Sequence, residues 1–291
     1  RRYNPYFLKV SDILDRQCIG KVQNLQIRFS VPPQSSDLDP SSLSWRTDPE
    51  IAGAGYFYHV ASEQFDIIQQ KLGVITHARG YTANRANLYK AEVTLSENGK
   101  ETDRQMVSYG VRWFTFDAEN GFMLNGKKLL LNGACVHHDD GLLGAAAFDR
   151  AEIRKVRLMK EAGFNLIRTA HNPSTRALLD ACDSIGMLVV DEAFDGWRQA
   201  KTKYDYSTLI DSCYKEDIAA LVLRDRNHPS VISWSIGNEV MERKDIRVVT
   251  TARMLKREVL RYDTTRPVTE ALCAWDSDWE IYDPHAEVLD V

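Results

Sequence analysis

Glu239 is the side chain with the strongest case for chemistry, because it closes the apolar stretch WSIGNE. We expect neighbours such as Trp234 to desolvate its carboxyl group, and desolvation raises a carboxyl pKa until the group can act as a general acid. Asn238 beside it offers an amide that can donate to a substrate hydroxyl. The local pattern is equally compatible with a structural alternative, in which Asn238 caps the next helix and Glu239 lies in its first turn.

A dense polar run stands earlier in the chain, with His137, His138, Asp139 and Asp140 in succession. Adjacent strand residues point to opposite sides, so at most one of the two histidines faces a given site. A metal site would need three or four converging ligands, which this run alone does not establish. A solvated loop is the simpler interpretation.

Arg168 lies inside another apolar stretch, NLIRTA, which His171 follows. A histidine in this place is by itself more typical of a structural hydrogen bond. A guanidinium in a buried strand, however, needs a carboxylate partner. The candidates are a carboxylate from another part of the protein or one of three side chains in the chain itself: Asp191, Glu192 and Asp195.

The segment DEAFDGW combines these three carboxylates with the aromatic rings of Phe194 and Trp197. Aromatic platforms beside carboxylates suit sugars, whose C–H faces stack on rings and whose hydroxyls need acceptors. A strand end followed by ordinary core aromatics is the alternative. The neighbouring polar clusters favour the sugar interpretation, which makes Asp195 a candidate substrate ligand.

Composition narrows the function classes. The 291 residues are 44% hydrophobic, 27% charged and 10% aromatic, as in a soluble globular protein, and the length allows about two domains. Lys and Arg total 37 against 41 Asp and Glu, so no basic excess indicates a nucleic-acid partner. No run of 18 apolar residues indicates a membrane span. The compartment stays open: cytoplasmic, or periplasmic or secreted if a signal peptide precedes this sequence.

Two kinds of pattern divide the chain near residue 120. Before it, short alternating stretches separated by turn-rich connectors predict an antiparallel, immunoglobulin-like β-sandwich over residues 1–119, with an irregular or incomplete beginning. After it, apolar strands alternate with helices, which predicts a parallel sheet over residues 120–291. The polar clusters all follow strands, as at the mouth of a (β/α)8 barrel. A doubly wound sheet usually carries a Gly-rich phosphate turn, which the sequence lacks.

Three segments together resemble glycoside hydrolase family 2. NLIRTAHNPSTRALLDACDSIGMLVVDE (165–192) is similar to one signature of that family, and DRNHPSVISWSIGNE (225–239) to the other. NGFMLNGKKLLLNGACVHHDD (120–140) resembles the entry from the sandwich into the barrel. The resemblance implies a multidomain β plus α/β protein: an immunoglobulin-like β-sandwich followed by an incomplete (β/α)8 TIM barrel.

The resemblance also implies a retaining β-glycosidase with Glu239 as general acid/base and Asn238 as a contact to the sugar 2-hydroxyl. His137 and His171 match positions that line the sugar subsite, and Arg168 matches one that holds the nucleophile carboxylate. The motifs look more like β-galactosidases than β-mannosidases, with β-glucuronidase open. No cofactor is implied, because FDGWR departs from the Glu-Thr-His of the metal-dependent galactosidases and puts a magnesium site in doubt.

Retaining hydrolysis needs a second carboxyl group about 5–5.5 Å from the first. The family places this nucleophile on the seventh strand, and we count about six strands, the last in AEVLDV. We therefore expect a fragment, inactive alone, whose nucleophile lies beyond Val291. The rivals are a non-catalytic carbohydrate-binding homologue and a metal-dependent hydrolase using His137, Asp139 and Asp140. A carbohydrate is the expected partner, and a homo-oligomer stays open.

Overall fold

A computed structural model describes residues 81–83, 86–97, 100–273 and 279–291. The sandwich predicted for residues 1–119 falls mostly outside these ranges. The chain divides into two compact units, one containing Tyr89–Ser108 and the other Gly80–Leu88 with Tyr109–Val291. Among the described residues, no helix is both long and apolar enough to cross a bilayer.

The strands predicted around residues 88–95 and 107–116 are present with different limits. Strand β1 (Leu88–Glu97) pairs with β2 (Lys100–Gly110) in a two-stranded sheet. The second predicted strand is broken, because β2 ends at Gly110 and β3 (Phe114–Asp117) starts a separate antiparallel sheet with β4 (Gly121–Leu124) and β5 (Lys127–Lys128).

The predicted parallel sheet is present and holds the site. Its five strands lie side by side in chain order, each parallel to the next, as in part of a (β/α)8 barrel. They are β6 (Gly133–His137), β7 (Leu166–Ala170), β8 (Leu188–Glu192), β9 (Val231–Asn238) and β10 (Val268–Ala271).

Five helices follow or connect these strands: α1 (Asp149–Glu161), α2 (Arg176–Ile185), α3 (Ile210–Asp225), α4 (Arg247–Leu260) and α5 (Trp279–Ala286). Every residue of β9 is buried, as expected for a strand covered on both faces. The core between sheet and helices is built from aliphatic side chains and the fully buried Trp197 and Trp234.

Helix α2 is capped at both ends. The Thr175 side chain accepts a hydrogen bond from the Leu178 amide at its start, and Gly186 ends it in a left-handed conformation with φ of 83°, which glycine adopts readily. Helix α1 begins at Asp149 and has Phe148 as its cap residue.

The last predicted strand, in AEVLDV, is wrong. Ala286 ends α5, and the residues after it form a turn and an irregular end without a strand. Asp290 and Val291 nevertheless lie beside β10, since the Asp290 amide donates to the Val268 carbonyl at 2.9 Å and Thr269 donates to the Val291 carbonyl at 2.7 Å.

Candidate active site at the carboxyl ends of the parallel strands

The Arg168–Glu192 ion pair is the centre of the polar cluster. Nε and Nη2 of Arg168 lie 2.9 and 2.8 Å from the two carboxylate oxygens of Glu192, whose side chain is completely buried. Burial alone would lower the pKa of Arg168, but Glu192 outweighs burial and the pKa is raised. Ser235 donates to Glu192 at 2.6 Å, and Nδ1 of His171 lies 3.1 Å from it. Of the three candidate carboxylates, Glu192 is therefore the partner of Arg168.

Asp191 is separate from this pair. It lies on the other side of β8, where Thr169 donates to it at 3.1 Å. Burial and the nearby Asp225 carboxylate raise the pKa of Asp191 well above its usual value. Asp191 is thus a buried group behind the sheet and does not face the strand mouth, which is the edge formed by the carboxyl ends of the parallel strands.

The side-chain amide of Asn238 is held in one orientation. Its Oδ1 accepts from Arg168 at 2.6 Å, and its Nδ2 donates to Asp195 at 3.0 Å. A guanidinium can only donate and a carboxylate can only accept, so these two partners exclude the flipped amide. Within the described part of the chain, Asp195 is the one acceptor of Nδ2, so its second N–H can donate to a ligand.

Asp195 is brought to the site by Lys201, which lies 2.8 Å from its carboxylate. Burial alone would raise the pKa of Asp195, but the hydrogen bonds from Lys201 and Asn238 outweigh it and the pKa is lowered. The Asp195 side chain is 48% exposed, so the ionised carboxylate can still accept from a ligand hydroxyl.

Glu239 directly follows β9 and is exposed. The expected desolvation by Trp234 is wrong, because the Trp234 indole is directed to Asp263, to which it donates at 3.0 Å. The structural alternative is wrong as well. The next α-helix begins only at Arg247, and the short 3-10 helix before it, Met241–Lys244, has Val240 as its cap residue.

Trp197 packs against the backbone at the end of β9. Its indole donates to the Ile236 carbonyl at 2.8 Å, and a Cβ atom on Gly237 would lie 2.9 Å from the same indole nitrogen. Only glycine lets the ring approach the backbone this closely. Trp197 is therefore a buried support for the strand that carries Asn238, not an exposed platform for a sugar.

His137 and His171 come together at the strand mouth, with ring centroids 5.0 Å apart in an edge-to-face arrangement. The rest of the polar run does not join them. Asp140 pairs with Lys155 at 2.9 Å, and Asp139 accepts from the Gly141 amide at 2.7 Å. The three ligands of the metal-dependent alternative thus do not meet at one point.

Among the described residues, one group of acidic and histidine side chains has potential ligand atoms close together: Asp180, Asp183 and His228. It lies near the start of β9, away from the strand mouth. Both Asp183 oxygens already have partners, since one accepts from the Ser230 amide at 3.0 Å and the other lies 2.7 Å from Nδ1 of His228. These contacts join α2 to the loop before β9.

Sequence reasoning missed Lys201 and Ser235. Lys201 lies in a polar loop with no periodic pattern, so the sequence carried no signal for it. Ser235 did leave a signal, because a hydroxyl inside the otherwise apolar stretch VISWSIG needs a buried partner. That partner is Glu192.

Comparison with known proteins places this geometry in a family. The sequence model of the glycosyl hydrolases family 2 TIM barrel domain matches residues 118–281, more than half of the chain. The chain belongs to glycosyl hydrolase family 2. Its five consecutive parallel strands are accordingly part of the TIM barrel of that family, as the resemblance of the two signatures implied.

Curated relatives of this family 2 chain include proteins named β-galactosidase and proteins named β-glucuronidase. It is 48% identical over 155 residues to the β-galactosidase BoGH2A of Bacteroides ovatus, a match covering 53% of the chain and 18% of that protein. It is 32% identical over 187 residues to a β-glucuronidase of Bacteroides fragilis, covering 63% and 27%. The chain thus spans about a fifth to a quarter of the length of these curated relatives.

A solved structure is similar as well. A glycosyl hydrolase family 2 member from Bacteroides cellulosilyticus matches with a TM-score of 0.69 and 48% identity, over 73% of this chain and 27% of that one. The similarity supports the fold of the described barrel strands.

Proposed function

We propose that this family 2 chain carries the acid/base half of the active site of a retaining β-glycosidase. The observation that carries the proposal is the position of Glu239. It is an exposed carboxyl group at the strand mouth, directly beside Asn238, whose amide is fixed by Arg168 and Asp195. Exposure leaves the carboxyl free to meet a glycosidic oxygen.

In the proposed mechanism, Glu239 protonates the leaving oxygen while a second carboxylate attacks the anomeric carbon and forms a glycosyl-enzyme intermediate. Glu239 then takes a proton from the water that hydrolyses this intermediate. The free N–H of Asn238 donates to the sugar 2-hydroxyl, and His137 and His171 line the sugar subsite. Asp195 accepts from a sugar hydroxyl.

We propose that the nucleophile lies outside the described residues, on chain beyond Val291. Two of the carboxylates at this end of the described sheet, Glu192 and Asp195, are already engaged. Glu192 is buried among Arg168, Ser235 and His171, while Asp195 is paired with Lys201. Arg168 reaches the strand mouth with 21% of its side chain exposed, which suits it to contact a second carboxylate there.

We propose a terminal β-D-galactoside as the substrate, with a β-D-glucuronide as the second candidate. The relative with the higher identity is named a β-galactosidase, and the others reported above include a β-glucuronidase. A glucuronate carboxylate needs a cation. Of the two described cations in the cluster, Lys201 is bound to Asp195 and Arg168 is assigned to the nucleophile carboxylate, which leaves neither for a glucuronate and favours a neutral sugar.

The test is hydrolysis of aryl β-D-galactoside and aryl β-D-glucuronide by the natural polypeptide that carries this sequence, with the first-formed sugar anomer followed by NMR. We expect faster turnover of the galactoside and release of the β-anomer. Faster turnover of the glucuronide would reverse the substrate assignment. Release of the α-anomer, or no hydrolysis of either compound, would refute the proposed function.

We also propose that residues 1–119 form the immunoglobulin-like sandwich that precedes the barrel domain of residues 120–291. The alternating pattern of the sequence supports this, and limited proteolysis near residue 120 tests the boundary.

A further inference from the structure

We propose that Lys201 is a positioning residue, which fixes the peptide bond between Asn238 and Glu239 and so directs the acid/base carboxyl group. This inference rests on the proposed function, since it assigns to Lys201 a role in acid catalysis by Glu239. Lys201 lies in the loop after β8, and the peptide it contacts lies at the end of β9.

The ammonium group of Lys201 has three N–H donors, and each has an acceptor. Nζ lies 2.9 Å from the Asp195 carbonyl, 2.8 Å from the Asp195 carboxylate and 2.7 Å from the Asn238 carbonyl. A lysine ammonium with all three donors engaged is fixed in place. Lys201 therefore joins the loop after β8 to the last peptide of β9.

The Asn238–Glu239 peptide is held from both sides. Its carbonyl accepts from Lys201, and its N–H donates to the Ala271 carbonyl on β10 at 2.8 Å. Glu239 has a φ of 42°, in the left-handed region that residues with a Cβ atom seldom adopt. The surrounding contacts must maintain such a conformation. Lys201 and Ala271 are the two contacts that hold the peptide itself.

The direction of the Glu239 side chain depends on this peptide. A rotation of the peptide plane turns the Cα–Cβ bond of Glu239 and moves the carboxyl group relative to the glycosidic oxygen. Without Lys201, the Asn238 carbonyl loses its side-chain donor and the Asp195 carboxylate loses its cation. Asp195 in turn fixes the Asn238 amide, so both ends of Asn238 become less ordered.

The experiment compares Lys201→Met with Lys203→Met in the natural polypeptide, using aryl β-galactosides with leaving groups of graded pKa. Lys203 is the matched control, because it lies in the same loop, is exposed and has its ammonium over the ring of Tyr204. For poor leaving groups we expect Lys201→Met to lower kcat/KM by about 10- to 100-fold, since a displacement of about 1 Å costs about 10²-fold.

Activated leaving groups need little protonation, so we expect their kcat/KM, which reports only the formation of the glycosyl-enzyme intermediate, to fall by less than about threefold. Lys203→Met should match the wild type throughout. A general structural lesion would instead lower turnover of all substrates equally. An equal loss across the series, or no loss, would overturn the proposal. Lys201→Arg is the second variant if Lys201→Met does not fold. It keeps the charge but cannot place one nitrogen among the three oxygens, so it should show the same dependence on leaving group.

Crystal structures of the wild type and the foldable variant provide a test that does not need activity. We expect the Asn238 carbonyl and the Glu239 carboxyl group to move in the variant. If both keep their wild-type positions, the positioning role is refuted, whatever the kinetics. If the wild type hydrolyses neither glycoside but the peptide moves in the variant, the proposed function fails while the structural role of Lys201 stands.

Discussion

Replacement of Arg168 by methionine should destabilise the barrel, because it leaves the buried Glu192 carboxylate without its counter-ion. The Glu192 side chain is fully buried, and both of its oxygens accept from Arg168. Removing one partner of a buried ion pair costs about 3–5 kcal/mol. Ser235 and His171 still contact Glu192 in the variant, so we expect the lower end of that range.

A cost of about 3 kcal/mol lowers the melting temperature of a domain of 150–250 residues by about 6–12 °C. The assay is differential scanning calorimetry of the natural polypeptide, following the barrel transition. The matched variant Arg168→Met/Glu192→Gln removes the uncompensated charge, and we expect it to regain at least half of the lost stability. An unchanged melting temperature in Arg168→Met, or a double variant no more stable than the single one, would refute the reasoning.

Two further predictions concern residues around the cluster. Gly237→Ala should lower the free energy of unfolding by about 1–3 kcal/mol, because it drives a methyl group into Trp197. Gly196→Ala is the control and should leave the free energy of unfolding nearly unchanged, since its added Cβ has its nearest contact at 3.7 Å. Chemical denaturation measures both. Burial alone would lower the pKa of His228, but Asp183 outweighs it and the pKa is raised. The stabilisation by the charged imidazole is therefore complete below a pH of about 6.5 and is lost as pH rises through the raised pKa. The difference in unfolding free energy between wild type and His228→Asn should consequently narrow towards alkaline pH. A constant or widening difference would contradict this.

The order of strands and the edge that carries the polar groups could be predicted from the sequence. Each apolar run ends in polar residues, and parallel strands place those ends at one edge. The partner of Arg168 could not be chosen, because Asp191 and Glu192 are adjacent and point to opposite faces. The register decides it: Arg168 is opposite Val190, so Glu192, two residues further on, lies on the same face.

The environment of Glu239 was predicted wrongly because Glu239 lies beyond the end of β9. Its backbone is left-handed there, with a φ of 42°, while the Trp234 indole within the strand is directed to Asp263. Lys201 could not be predicted, because its contact with Asn238 joins residues 37 positions apart through a loop without a sequence pattern. The last strand was overpredicted, because AEVLDV alternates like a strand although Ala286 ends a helix.

The most direct test of the central claim is the product that Glu239→Ala forms in the presence of azide, measured in the natural polypeptide with an activated aryl β-galactoside. If Glu239 is the acid/base, azide intercepts the glycosyl-enzyme intermediate without base assistance, so turnover should rise with azide concentration and the product should be the β-galactosyl azide. Turnover equal to that of the wild type without azide, or rescue that yields no glycosyl azide, would contradict the assignment of Glu239.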